Sequence, residues 1–142
     1  VQSVDSLHLA QELQRQAEKQ LAQHGKRLAV LLQVNVSGEA SKEGMALAEA
    51  PEVARQIAAM PLLEIQGLMT IAPFTSTPEA VRPVFRELRL LRDRLQRDIP
   101  NCSWEHLSMG MSGDYRVAIE EGATIVRIGR AIFGERVNKA SQ

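Results

Sequence analysis

Two stretches late in the chain carry the residue types that could cradle a phosphate monoester. The first is Leu-Ser-Met-Gly-Met-Ser-Gly-Asp-Tyr at 107–115, and the second is Val-Arg-Ile-Gly-Arg at 126–130. Each reads as a strand running into small residues with free backbone N–H groups. Ser108 and Ser112 can donate hydroxyl hydrogen bonds to phosphate oxygens, and Gly110 lets the backbone approach closely. Gly129 and Arg130 can donate backbone N–H bonds from the second turn. Two tight strand-to-helix turns with no ligand are the ordinary alternative. Arg127 ends an otherwise apolar run. A guanidinium there needs an anion or acceptor, because a buried unpaired charge is costly. That partner is either a ligand or an internal carboxylate such as Glu105.

Alternating strand and helix patterns must position these residues. Residues 1–4 read as a short strand end. Leu7, Ala10, Leu13, Ala17 and Leu21 form the stripe of a helix over 6–24, capped by Asp5 or Ser6 and stopped by Gly25. Residues 28–36 are a continuous apolar run, as expected of a strand covered on both faces. A polar loop over 37–44 leads to a helix opening at Ala50-Pro51-Glu52 and ending near Met60. A strand over 62–69 precedes a loop and a long helix ending near Asp98. Pro83 belongs in its first turn, and Val84, Leu88, Leu91 and Leu95 form its stripe. A strand over 103–109, a short helix ending at Gly122, a strand over 124–128 and a helical turn at 130–133 complete the pattern. Five strands separated by helices imply a parallel α/β sheet.

The chain has 142 residues, 44% hydrophobic but only 4% aromatic, so aliphatic side chains must fill the core. Equal counts of 17 basic and 17 acidic residues argue against a general nucleic-acid binder. The single cysteine, Cys102, excludes an intramolecular disulfide and a paired-cysteine metal site. No apolar run reaches the ~20 residues that span a bilayer. A cytoplasmic protein is the natural expectation.

The two late motifs resemble those of the pyridoxal 5′-phosphate homeostasis proteins, whose fold is like the N-terminal barrel of alanine racemase. Ser-Val-Asp-Ser-Leu at 3–7, Leu-Gln-Val-Asn-Val at 32–36, Ser-Lys-Glu-Gly at 41–44 and Gly-Leu-Met-Thr-Ile-Ala-Pro at 67–73 match in the same order. The resemblance implies a (β/α)8 TIM-barrel type of α/β fold. A complete barrel takes ~250 residues, so only about the last five βα units fit in this chain. Residues 1–142 then form the C-terminal part of a single barrel domain. The lysine that forms the aldimine with pyridoxal 5′-phosphate is expected on the missing N-terminal part.

The resemblance further implies cofactor contacts from Ser108, Gly110, Ser112, Gly129 and Arg130, with Arg127 facing the pyridine nitrogen. Met69 is either a wall over the cofactor ring or ordinary barrel packing. Relatives often carry a small hydroxyl residue where this chain has Arg130, which keeps the backbone N–H but loses a side-chain contact. Lys42 lies in a polar loop with no apolar flank to lower its pKa, so it is not expected to be the aldimine lysine.

His8, His24 and His106 lack metal-ligand spacing, and His106 reads as a hydrogen-bonded core residue. The arginines at 82, 86, 89, 92, 94 and 97 read as a solvated face, partly offset by Glu79, Glu87, Asp93 and Asp98. The expected function is intracellular cofactor homeostasis, as a carrier or buffer without a catalytic residue. PLP-dependent apo-enzymes are the expected partners, with no nucleic acid and no membrane. The intact protein is expected to be a monomer, and the open edges of these 142 residues to invite association. The alternatives are a PLP-dependent amino-acid racemase, which would need a second acid/base such as Tyr115, and a barrel for another phosphorylated ligand.

Overall fold

The structure is a computed structural model that describes residues 1–39 and 43–129. Lys42, Arg130 and the expected helical turn at 130–133 lie outside the described residues.

Helix α1 spans Leu7–Gln20, and Ser6 caps it by accepting from the Leu9 N–H at 3.1 Å. A 3-10 turn at Ala22–His24 ends on Gly25 at φ +64°, which only glycine adopts without strain. Strand β1 is Leu28–Asn35, followed by a two-residue strand, β2, at Met45–Ala46. Helix α2 is Ala50–Ala58 with Pro51 in its first turn, and β3 is Leu63–Met69. A 3-10 turn at Pro78–Val81 leads into α3 at Arg82–Asp98. Strand β4 is His106–Met111, α4 is Tyr115–Glu120 and β5 is Ile125–Arg127.

Three features differ from the sequence reading: one strand boundary, one residue of a helix stripe and one short strand. β4 starts at His106 rather than 103, because Trp104 turns through φ +50°, fully buried, with its indole N–H on the Ile99 carbonyl at 2.8 Å. Phe85, not Val84, heads the buried stripe of α3, in line with Leu88, Leu91 and Leu95. β2 carries too few residues for any periodicity to reveal it.

All pairings are parallel, in the order β2-β1-β3-β4-β5. Val4 bridges Leu32, and the Leu31 and Gln33 N–H groups bond to Val1 and Val4 carbonyls. With the two-residue edge strand β2 left aside, β1, β3, β4 and β5 lie side by side in chain order, the winding of a barrel rather than of an open sheet whose order reverses. Among the described residues no pairing joins β5 to the Val4 segment. The sheet is therefore an open sector.

It is also strongly curved. Ser108 on β4 donates to the Gln2 side-chain carbonyl at 2.8 Å, although two strands lie between them. In a flat sheet that separation would be ~14 Å, from a strand spacing of ~4.8 Å. Two bulges help. Val30 pairs with Ile65 but Leu31 with Gly67, so Gln66 is an extra residue. Gly67 lies at φ +154°, and a Cβ there would meet the His106 carbonyl oxygen at 1.9 Å.

The core lies between the convex face of this sheet and the helices. Val30, Leu32, Val34, Ile65, Leu68, Leu107 and Met109 are all buried there. The arginines of α3 are not simply solvated. Arg82, Arg86 and Arg89 converge on the Glu121 carboxylate just after α4, at 3.2, 3.2 and 3.5 Å. Glu121 is only 5% exposed. Its neighbours, Arg86 foremost, hold its carboxyl below the usual range. No helix among the described residues is long and apolar enough to cross a membrane.

Candidate functional site at the C-terminal rim of the concave face

The concave face is built differently from the core. Because strand side chains alternate, the partners of Leu32 and Val34 on the other face are Leu31, Gln33 and Asn35. Register then puts Gln33, Met69, Ser108 and Ile125 at one level across β1, β3, β4 and β5. Gln33, Met69 and Ser108 are buried, at 2%, 6% and 0% exposure. Below them, a cavity of about 200 Å³ is lined by Val1, Gln2, Leu31, Gln66, His106 and Ile125.

The upper rim is tied together through Thr70, which directly follows β3 and is fully buried. Its hydroxyl donates to the Val34 carbonyl at 2.7 Å, and its N–H donates to the Ser108 carbonyl at 3.1 Å. Its own carbonyl accepts from Arg127 Nη2 at 2.7 Å. Arg127 thus reaches from β5 past β4 to the end of β3. The sequence singled out Arg127 but missed Thr70, whose signal was a lone hydroxyl closing an apolar strand.

Arg127 has one further property. Its Nε is buried without a hydrogen-bond partner, and it forms no ion pair among the described residues. Burial pushes its pKa down, while the Asp114 carboxylate acts in the opposite direction. Glu105, the carboxylate considered for an internal pair, lies instead against His106 Nε2 at 3.2 Å. His106 Nδ1 is 3.3 Å from the Thr124 hydroxyl, so this residue is hydrogen-bonded as expected, though only half-buried.

The two serines are separated. Ser108 is sealed on the concave face with its hydroxyl on Gln2. Ser112 lies beyond the end of β4 and lines a cleft of about 600 Å³ with Gly113, Asp114, Tyr115 and the 77–79 segment. A second bulge intervenes, since Ser108 pairs with Ile125 but Met111 with Arg127. Gly110 sits in it at φ +103°, and a Cβ there would meet the Ala118 Cβ at 2.7 Å, so α4 itself requires a glycine. Asp114 shapes the turn by accepting from the Met111 N–H at 2.7 Å. Gly129 is exposed, with open space where a Cβ would be. Tyr115 is on the outer cleft, its hydroxyl accepting from Arg116 Nε at 3.2 Å.

This arrangement suits a flat, polar, anionic ligand. A half-buried guanidinium with an unused N–H makes no ion pair among the described residues, although the Asp114 carboxylate lies near enough to act on it, and glycine-rich turns flank it. The described lysines, Lys19 and Lys26, are both exposed on the outer side, on α1 and just after the Gly25 turn. No described residue can therefore hold such a ligand through a lysine on the concave face.

Comparison with known proteins agrees with this geometry. The family described as alanine racemase, N-terminal domain, matches residues 1–137. The pyridoxal phosphate homeostasis protein of Aquifex aeolicus is 48% identical over 136 residues, covering 96% of this chain and 58% of the relative. Its Homo sapiens counterpart is 41% identical over 140 residues, covering 96% and 50%. The chain thus spans little more than half the length of these curated relatives. PipY of Synechococcus elongatus PCC7942, in its structure with PLP bound, superposes with a TM-score of 0.80 at 33% identity, covering 94% of this chain and 59% of that one. Alanine racemase of Clostridium difficile 630 shares the fold at a TM-score of 0.69 and 17% identity. The open parallel sector, wound in chain order and matched along nearly its whole length, belongs to the alanine racemase N-terminal domain family.

Proposed function

We propose that the protein binds pyridoxal 5′-phosphate on the concave face of this sector and acts in intracellular homeostasis of the cofactor, as a carrier or buffer rather than as an enzyme. The observation that carries this reading is Arg127: a half-buried cation with an unpartnered Nε and no ion pair among the described residues, at the rim of a polar concave face. The names of the relatives and the PLP-bound PipY support the choice of cofactor.

The residues divide the work. Arg127 takes the ring nitrogen and keeps it unprotonated, because two positive charges would repel. Ser112, Gly110, Gly129 and the Arg130 backbone take the phosphate, with Arg130 lying outside the described residues. Met69, in register with Ser108, walls the ring. Ser108 contributes through its bond to Gln2, which holds the curvature of the face, or by exchanging that bond for one to the phosphate. When bound, the cofactor supplies an aldehyde and an aromatic electron sink. An unprotonated ring nitrogen makes that sink weak, which suits storage better than general amino-acid chemistry.

In this reading residues 1–142 are the C-terminal part of one barrel domain, and the covalent lysine belongs to the part this chain does not span. The intact protein is a cytoplasmic monomer that passes the cofactor to PLP-dependent apo-enzymes. A racemase would need a second acid/base facing the ring, and the one tyrosine lies on the outer cleft against Arg116. The test is titration of the full-length protein with pyridoxal 5′-phosphate, followed by absorbance. Binding with a changed spectrum in Arg127→Glu is expected. Binding of phosphate esters in general, with no preference for the pyridoxal ring, would favour a barrel for another phosphorylated ligand. Racemisation that is lost in Tyr115→Phe would overturn the carrier reading.

A further inference from the structure

Gln33 is a buried polar residue that the proposed site has not used. It is 2% exposed, and its carboxamide makes no hydrogen bond to any described residue. Its backbone is satisfied through the Val4 carbonyl, so the side chain is not needed for the sheet. It stands in an apolar run whose other buried members, Val30, Leu31, Leu32 and Val34, are all aliphatic. Its polar atoms are not fully enclosed, since the one fully buried side-chain polar atom without a partner among the described residues is Arg127 Nε, so the carboxamide keeps room for a partner. It lies on the concave face at the level of Met69 and Ser108, two strands from Ser108.

We infer that Gln33 reads the 3-hydroxyl of the pyridoxal ring and so selects this cofactor among phosphorylated aromatic ligands. The inference rests on the proposed function. The reasoning is geometric and chemical. Arg127 and the glycine turns lie on the β4–β5 side of the face, which assigns the ring nitrogen and phosphate arm to that side. On the pyridoxal ring C3 is para to C6, the carbon between the ring nitrogen and the phosphate arm, so a ring with both of those on the β4–β5 side carries its 3-hydroxyl on the far side, toward β1. A carboxamide can donate to the oxygen when it is ionised and accept from it when it is protonated, so it suits the group in either state. Asn35, one step above, is already engaged with the Gly38 N–H and the Glu39 carbonyl, which leaves Gln33 as the carboxamide available on β1.

The test is a two-by-two comparison in the full-length protein: wild type and Gln33→Met, each titrated with pyridoxal 5′-phosphate and its 3-deoxy analogue by equilibrium dialysis. The cross-comparison isolates the contact from any general effect of the substitution. Wild type is expected to prefer the natural cofactor by about 10-fold more than Gln33→Met does. The unliganded variant is expected to melt no lower than wild type, because the substitution removes no hydrogen bond to a described residue. Gln33→Glu, of similar size, is expected to weaken binding of the natural cofactor more than of the analogue, since two oxygen anions then face each other. An unchanged preference in Gln33→Met and in Gln33→Glu overturns the assignment and leaves the proposed function standing. A lower melting temperature of unliganded Gln33→Met also overturns it, by showing a partner within the protein. If wild type binds neither compound, both readings fall.

Discussion

The two faces of this sheet obey different rules. On the convex face, Val30, Leu32, Val34, Ile65, Leu68, Leu107 and Met109 meet the helices, and each is at most 1% exposed. On the concave face the same strands carry Gln33, Gln66, His106, Ser108 and Arg127, with Gln2 bonded across the arc. The interior of a barrel of this type is usually packed with branched aliphatic side chains. Here hydrogen-bonding groups take several of those places. The convex face supplies stability by excluding water. The concave face gives up part of that stabilisation to keep donors and acceptors pointing inward.

Substitutions can break or sharpen that contrast. Adjacent residues on β4 give the clearest test. Leu107→Ala on the convex face is expected to cost about 2–5 kcal/mol of unfolding free energy, read from urea denaturation. Gly67→Ala is expected to cost about 2–3 kcal/mol, from the backbone conformation alone, with more if β3 and β4 cannot separate. It attacks the close approach that both faces share. Ser108→Ala, one residue from Leu107, is expected to cost only about 1 kcal/mol, the worth of one neutral hydrogen bond. A loss as large as that of Leu107→Ala would mean that the concave face is a second core.

The smallest effect is one of pH. Glu121 has a lowered pKa in the folded protein, so its contribution is present above its unfolded pKa and is lost as pH falls through the folded value. Glu121→Gln should therefore be less stable than wild type at pH 7. The difference should shrink below about pH 4, where the unfolded-state carboxyl protonates. A gap that persists unchanged at pH 2 would show that the arginine cluster on α3 does not act through charge.

Much of this architecture was legible along the chain because it depends on local pattern. The α1 stripe, the Ser6 cap, Gly25 and the continuous run of β1 follow from side-chain spacing and glycine conformation. Arg127 stood out because a charge in an apolar strand has few explanations. Other features depend on residues far apart. Nothing near Ser108 indicates that its hydroxyl meets Gln2, and nothing near Arg82, Arg86 or Arg89 points to Glu121. Ser108 and Ser112 looked like one site because they are four residues apart. The bulge at Gly110 and the turn at Asp114 place one on the sealed face and the other on the open cleft. Gln33 passed unnoticed because one polar residue hardly alters the character of an apolar run.

Winding in chain order also bears on how the molecule assembles. Each strand can dock on the one made just before it, so most pairings close short loops and can form as the chain emerges. The Gln2–Ser108 bond is the exception, joining residues 106 apart in sequence. Closing so long a loop costs more entropy than the local pairings do, so this bond is expected to form after them. On that order the convex side is expected to consolidate first, with the curvature of the concave side acquired late.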